Sequence, residues 1–388
     1  MAADWSQLPE DLLQQIYQKL NNQFYQLRFR SVCSPWRSSI SKNHLNNLPT
    51  KLPSSCSNSN NTSITLSLSK RSIFLITPPP NQQTLNPWLI KIGPDSNNQT
   101  HLWHPLSRDT QFPLYHPIII DFNQISVRDL GREFVIGNFP SRRPLYIDCN
   151  NSLDPGKVVV CDTWHNGIDR CSLLLTIHGT GELAIFRCGD EQWTLIPSIS
   201  EFPYTDVCMF NGRPIAVDIF GEVVEVRPDL SLDLVVEHGM YGGKKKVLVE
   251  SDGELLLLVS GHLSYDYDDS VLDDDGEGIY DGAVQIDVFR LDEKEKKWLH
   301  VKDLGNRVLF WGEDCAFSAS FIGNGNCVIF SDAVFRSVHS AELGISVFHL
   351  DGRCTSPLSD FPCYSNLFWP APEWVKLNID NSRVCVLD

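Results

Sequence analysis

The sequence predicts a mostly-β chain with a small α-helical module at its N-terminus. Three observations carry that expectation. Residues 4–42 place apolar side chains at helical spacing. Residues 43–63 form a polar hinge with Pro49, Pro53 and the run SSCSNSNNTS. From about residue 64 onward, short apolar runs alternate with Gly, Pro, Asn and Asp turns.

With 388 residues the chain has room for a small module plus one large domain. Hydrophobic residues make up 42% and charged residues 21%, enough to build a sizeable core. The net charge of −16 argues against a general nucleic-acid binder, which needs a basic surface, and against an anionic membrane as partner. The first twenty residues include Asp4, Glu10 and Asp11 and no apolar core of a secretory signal. No apolar run reaches the roughly 18 residues of a membrane span. The twelve cysteines form no CxxC pair and stand singly, so they read as reduced, buried thiols of the cytoplasm, the nucleus or both.

The helical part begins at Pro9, which suits a first helical turn. Glu10 and Asp11 follow, where the helix dipole favours acids. Leu8, Leu12, Leu13, Ile16 and Leu20 then make one apolar stripe. A second helix is expected over Phe24–Cys33, with Phe24, Leu27, Val32 and Cys33 inward and Arg28 and Arg30 outward. Ser34-Pro35 reads as an N-cap and first residue of a third helix carrying Trp36, Arg37 and Ile40.

The β part has a loose repeat. Segments 180–196, 211–226, 251–261, 282–301, 323–332 and 343–352 each set a β run beside a Gly-containing turn, and Trp193 and Trp298 each follow a charged turn. Such turn density indicates a sandwich, barrel or propeller. At roughly 40–50 residues per blade, the remaining length gives about seven blades, within a range of about six to eight.

The segment WSQLPEDLLQQIYQKLNNQFYQLRFRSVCSPWRSSI, Trp5–Ile40, contains LPxxLxxxI followed by LRFRxVCxxWRxxI. It resembles an F-box, and with the long β domain behind it the chain looks like the plant KIB-type F-box family. FPYTDVCMFNGRPIAVDIFGEVVEV at 202–226 and CYSNLFWPAP at 363–372 resemble that family's C-terminal domain. The resemblance implies a three-helix F-box over 4–42, a polar linker over 43–63 and an irregular kelch-like β-propeller over 64–388. It implies a non-catalytic subunit of an SCF-type ubiquitin ligase, bound to a Skp-type adaptor and through it to a cullin. The propeller then recruits a protein substrate that the sequence does not name.

Physical reasoning points the same way. Three helices in so short a span bury too little surface to be strongly stable alone, so a partner that covers the stripe stabilises them. The residues expected at the adaptor are Trp5, Leu8, Pro9, Leu12, Leu13, Ile16, Leu20, Val32 and Trp36. For the target, loops on one propeller face are expected, with Phe202, Tyr204, Trp311, Phe368, Trp369 and Trp374 as aromatic candidates and the acidic 265–281 segment as an electrostatic guide.

Other patterns read as structure. Gly179–Ala184 matches GxGxxA but runs at once into a strand, so it reads as a hairpin turn. The eight acids of 265–282 do not fit EF-hand spacing. Lys244–Lys246 reads as an exposed turn. His101 and His104 lack a third metal ligand nearby. No GxSxG, HExxH or P-loop occurs, so no catalytic residue, metal or cofactor is expected. Two other readings stay open: an F-box scaffold acting outside degradation, and a propeller enzyme or small-molecule receptor with a helical appendage. A deep polar channel with paired, pKa-shifted carboxylates would favour the last.

Overall fold

A computed structural model of the chain describes residues 5–20, 23–39, 48–49, 51–53, 65–78, 86–95, 99–112, 125–138, 157–166, 169–187, 189–237, 245–262, 284–321, 325–335, 344–372 and 374. Most of the expected linker and the whole acidic run of 265–282 lie outside the described residues.

A 3-10 turn over Trp5–Gln7 precedes three short helices, α1 (Glu10–Gln18), α2 (Gln23–Ser31) and α3 (Ser34–Ser38). Pro9 caps α1 from outside, and Glu10 and Asp11 fill its first turn. Arg28 and Arg30 close α2, where the carbonyl end of the dipole favours cations. The residue capping α3 is Cys33 rather than Ser34, with Pro35 in the first turn.

Five sheets follow. The first contains β1 (Lys51–Pro53), β2 (Thr65–Thr77), β3 (Trp88–Pro94), β4 (Thr100–Trp103) and β5 (Ser126–Asn138). In it β5 pairs with one edge of β2, while β3 and β1 share the other. The next three are four-stranded antiparallel meanders. They comprise β6 (Val159–Asn166), β7 (Asp169–Ile177), β8 (Leu183–Arg187) and β9 (Thr194–Ile196); β10 (Tyr204–Phe210), β11 (Arg213–Asp218), β12 (Val223–Val226) and β13 (Leu232–Val236); and β14 (Lys245–Ser251), β15 (Glu254–His262), β16 (Val284–Asp292) and β17 (Lys297–Val301). The last contains β18 (Arg307–Trp311), β19 (Ala316–Ser320), β20 (Cys327–Ser331), β21 (Ile345–His349) and β22 (Cys354–Pro357). Its order is β19-β18-β20-β21-β22, and β18 and β20 run parallel.

Strands β5, β6, β10, β14 and β19 neighbour one another in a closed ring around a central axis. Each wedge between adjacent sheets holds its own apolar cluster. Leu52, Phe134, Leu174 and Trp193 join the first and second sheets. Leu175, Val207 and Val224 join the second and third. Val217, Leu248 and Leu257 join the third and fourth. Leu258, Leu309 and Phe330 join the fourth and fifth. Ile73, Leu89, Phe310 and Ile329 close the ring. This is a five-bladed propeller, not one of six to eight blades. Blade length explains the difference: the first blade takes Lys51–Asn138, whereas the third needs only Tyr204–Val236. Dividing by a fixed repeat therefore overcounts.

The Trp repeat has a structural meaning. Trp193, just before β9, donates its indole N–H to the Pro53 carbonyl of the preceding blade at 2.9 Å. Trp298 in β17 donates to the Gly221 carbonyl of its preceding blade, also at 2.9 Å. Nearer the axis, Lys157 Nζ lies 2.9 Å from Asp206 Oδ2 and donates to the Leu248 carbonyl at 3.2 Å, tying three consecutive blades. Lys245 and Lys246 belong to β14 rather than to a turn, and their ammonium groups donate to the Val334 and Ile219 carbonyls.

The closing seam carries buried charge. Lys91 is fully buried, within 3.0 Å of Glu133 Oε2 and 2.6 Å of the Ser107 carbonyl. The Arg71 guanidinium lies 3.5 Å from the centre of the Trp103 ring. The turn after β4 is latched to the β18–β19 turn. The Arg108 backbone N–H donates to Glu313 Oε2 at 2.6 Å, and the Arg108 guanidinium lies 3.2 Å from Asp314 Oδ2. Burial pushes the Asp314 carboxyl up to about 7 despite that cation, and the charges of Glu133 and Glu313 push the same way.

The segment after β22 crosses back to the first blade. Leu89 N–H donates to the Leu367 carbonyl at 2.7 Å, His104 stacks on Phe368, and Phe112 stacks on Trp369. Burial holds the His104 imidazole down to about 3, so it is neutral, and Lys91 adds to that effect. His101 instead pairs with Asp95. Among the described cysteines none is in a disulfide; Cys161, Cys208, Cys315 and Cys327 are buried, whereas Cys354 and Cys363 are exposed.

Candidate functional site

The helical module separates two apolar faces that the sequence ran together. Leu13 and Tyr17 lie one turn apart on α1 and meet Phe29 of α2 in a small core, against which Leu8, Leu20 and Trp36 pack. Tyr17 and Phe29 sit edge to face at 5.4 Å. Trp36 lies 4.6 Å from the Phe29 ring and donates its indole N–H to the Trp5 carbonyl. The neighbouring row on α1, Leu12 and Ile16, is left out of that core. Leu12 is 45% exposed, Ile16 38%, Tyr25 40%, Val32 56% and Trp5 66%. Pro9 is exposed beside them.

Of the nine residues expected at the adaptor, Trp5, Pro9, Leu12, Ile16 and Val32 are thus open to solvent. Leu8, Leu20 and Trp36 are half-buried against the module's own core, and Leu13 is sealed inside it. Val32 points out, not in, because α2 ends at Ser31 and the chain turns there. Phe24 and Leu27 lie outside the residues whose side chains are described. Tyr17, Phe29 and Tyr25 were missed. The Leu13–Tyr17 and Leu12–Ile16 pairs, each four apart, were a legible signal of two adjacent faces.

The module meets the propeller through Arg28, whose guanidinium donates to the Ile125 carbonyl at 2.5 Å, just before β5. That end of β5 marks one mouth of the ring. The Glu250–Gly253 turn and Ser318–Ser320 meet Arg128–Leu130 there around a polar pit of roughly 380 Å³. Burial pushes the carboxyls of Asp129 and Glu250 up from the usual range. The opposite mouth is where β10 begins and β11 ends.

The aromatic candidates for target binding separate on this frame. Tyr204, Trp311 and Phe368 are buried in wedges between blades. Trp369 and Trp374 are half-buried in the segment that closes the ring; the latter donates to the Asn86 carbonyl at 3.1 Å. Phe202 is 43% exposed at the opposite mouth. No group of three or more metal-ligating side chains converges among the described residues. Nor is any described helix long and apolar enough to cross a membrane.

Two family models match successive parts of the chain. Residues 5–48 match the F-box domain, and residues 63–349 match the KIB1-4 beta-propeller. The chain belongs to the KIB1-4 β-propeller family and carries an F-box. Proteins similar to it over nearly the whole chain include several from a plant. It is 36% identical to the F-box protein SKIP23 of Arabidopsis thaliana, over 96% of this chain and 95% of that protein. It is 32% identical to the Arabidopsis thaliana F-box protein At2g17036, with the same two coverages. A putative F-box/kelch-repeat protein of that plant, At5g24040, is 26% identical over 96% of this chain and 99% of the relative. F-box proteins generally serve as substrate adaptors of SCF complexes, and the exposed row of α1 lies within the residues that match the F-box.

Proposed function

We propose that the chain is the substrate-recruiting, non-catalytic subunit of an SCF-type ubiquitin ligase, acting in the cytoplasm, the nucleus or both. Its F-box docks on a Skp-type adaptor, which links it to a cullin, and its propeller holds a protein target. The ubiquitin-transfer chemistry belongs to other subunits.

One observation carries the reading. The F-box closes its own core with Leu13, Tyr17 and Phe29 yet leaves Trp5, Leu12, Ile16, Tyr25 and Val32 in water. Full burial of an exposed aliphatic side chain contributes about 1.5–3 kcal/mol, so a partner covering the half-exposed Leu12, Ile16 and Val32 gains about half of that at each. Trp5 and Tyr25 are of the residue types that dominate interface energetics.

Co-purification of the full chain with a Skp-type adaptor tests it. Leu12→Asp combined with Ile16→Asp should abolish capture while leaving the propeller's melting transition in place, since neither residue contributes to a core. Unchanged capture by that variant, or no capture by the unaltered chain, sinks the proposal.

A further inference from the structure

Eight large hydrophobic side chains are exposed among the described residues. Five belong to the F-box. Of the three on the propeller, Ile199 and Phe202 stand together in the β9–β10 connection, at the mouth away from the Arg28–Ile125 contact. Ile199 is 53% exposed. The Phe202 ring meets that of Phe220, from the β11–β12 turn, at 4.2 Å between centroids in an edge-on arrangement.

Three turns from two blades are knitted into one platform beneath these rings. Tyr204 N–H donates to the Gly181 carbonyl of the β7–β8 turn at 2.8 Å. Gly181 has φ +84°, and a Cβ there would run into Pro203. Ile219 N–H donates to the Pro203 carbonyl at 3.1 Å, and Ser200 Oγ to Asp218 Oδ2 at 2.8 Å. The other Asp218 oxygen accepts the N–H groups of Phe220 and Glu222 at 2.8 and 2.9 Å. Ser200 Oγ in turn accepts the Phe202 N–H at 3.1 Å. The aromatic pair is therefore held on fixed backbone, which lowers the ordering cost of binding.

The charge around the pair is mainly negative, although the Lys246 ammonium donates to the Ile219 carbonyl, one residue before Phe220. Glu201 precedes Phe202 and is exposed, Glu222 closes the turn that carries Phe220, and Glu182 sits in the turn against Pro203. Below them, burial and the negative field of Glu222 and Asp218 push the Tyr204 phenol up. An apolar anchor rimmed by carboxylates is complementary to a bulky apolar side chain flanked by cations.

We infer that this platform is a docking site for a polypeptide segment in which a large apolar residue is flanked by lysine or arginine. The inference rests on the reading of the propeller as the target-holding part, and it deepens that reading by giving the target's chemistry.

The test pans a random dodecapeptide library on the immobilised full-length chain, with Phe202→Ala as counter-selection. Enriched peptides should carry Phe, Trp or Leu between basic residues. Fluorescence anisotropy on the strongest of them should show about a thirtyfold weaker affinity for Phe202→Ala, the loss expected at an interface hot spot, and a several-fold weaker affinity for Glu201→Lys. Glu201 is exposed, so Glu201→Lys should leave the melting temperature in place, whereas Phe202→Ala gives up the Phe220 contact and should lower it slightly with the cooperative transition intact. Enrichment of acidic or uncharged peptides, no enrichment at all, or binding by either variant as tight as that of the unaltered chain overturns the inference. Adaptor capture measured on the same proteins separates the two claims. Loss of peptide binding with adaptor retained concerns this platform alone, whereas absent adaptor capture by the unaltered chain removes the ligase reading whatever the peptides do.

Discussion

Replacing Asp314 by Asn should flatten the pH dependence of the propeller's stability. The Asp314 carboxyl lies in the ring-closing seam with only 11% of its side chain exposed, and burial raises it from the model-compound value of 3.8 to about 7. The groups facing it are Arg108, Lys91 and Arg71 on the positive side and Glu133 and Glu313 on the negative side. A raised carboxyl binds its proton more tightly in the fold than in the unfolded chain. Its stabilising effect is therefore complete below the unfolded value and lost as pH rises through the folded one. A shift of that size corresponds to about 4 kcal/mol in all, of which roughly 2–3 kcal/mol is lost between about pH 5 and about pH 8. Asp129, Asp206 and Glu250 are raised too and add slopes of the same sign. The informative quantity is thus the difference between the unaltered chain and Asp314→Asn. Urea midpoints at a series of pH values measure it. Asparagine keeps the shape and gives up the charge, so the variant should gain on the unaltered chain as pH rises. Parallel curves would refute the reasoning, because they would mean that the Arg108 pair already compensates the burial.

Three other perturbations address the blade-to-blade ties. Lys157→Met leaves the buried Asp206 carboxylate without its cation and should cost about 3 kcal/mol in a chemical-denaturation experiment. Trp298→Phe keeps most of the ring's packing but strands the Gly221 carbonyl, with an expected loss of about 1–3 kcal/mol; equal unfolding midpoints would deny that tie a role. Phe368→Ala removes a buried ring stacked on His104 and should cost about 3–5 kcal/mol, with adaptor capture by the F-box unchanged at temperatures where the propeller remains folded.

The order of helices then β blades was legible because both depend on local periodicity. Leu12, Leu13 and Ile16 announce a helix by spacing alone, and runs such as Glu254–His262 announce a strand. What spacing does not carry is which of two adjacent helical rows a neighbour will cover. That was decided by Phe29, which reaches Tyr17 and leaves Ile16 outside. Blade number depends on connections of variable length, so composition gave no ruler for it. The aromatic candidates separated for a related reason. Trp311 and Phe368 resemble surface anchors in a list of residue types, but a ring of wedges needs large side chains at every blade junction. Phe202 stays out because it stands on a turn, on backbone fixed by Asp218 and Pro203. Lys245 and Lys246 misled for the opposite reason: a short basic run looked like a turn, yet their long stems let the ammonium groups reach carbonyls of neighbouring blades.

The return of residues 358–372 to the first blade sets an order of events during synthesis. Leu89 leaves the ribosome long before Leu367, the residue whose carbonyl it binds, so the first blade waits with Trp88 and its neighbours unsheltered until residues 358–372 have been made. A nascent chain halted anywhere before that point presents a greasy, unfinished circle, which is the kind of surface that chaperones retain and that aggregates form on.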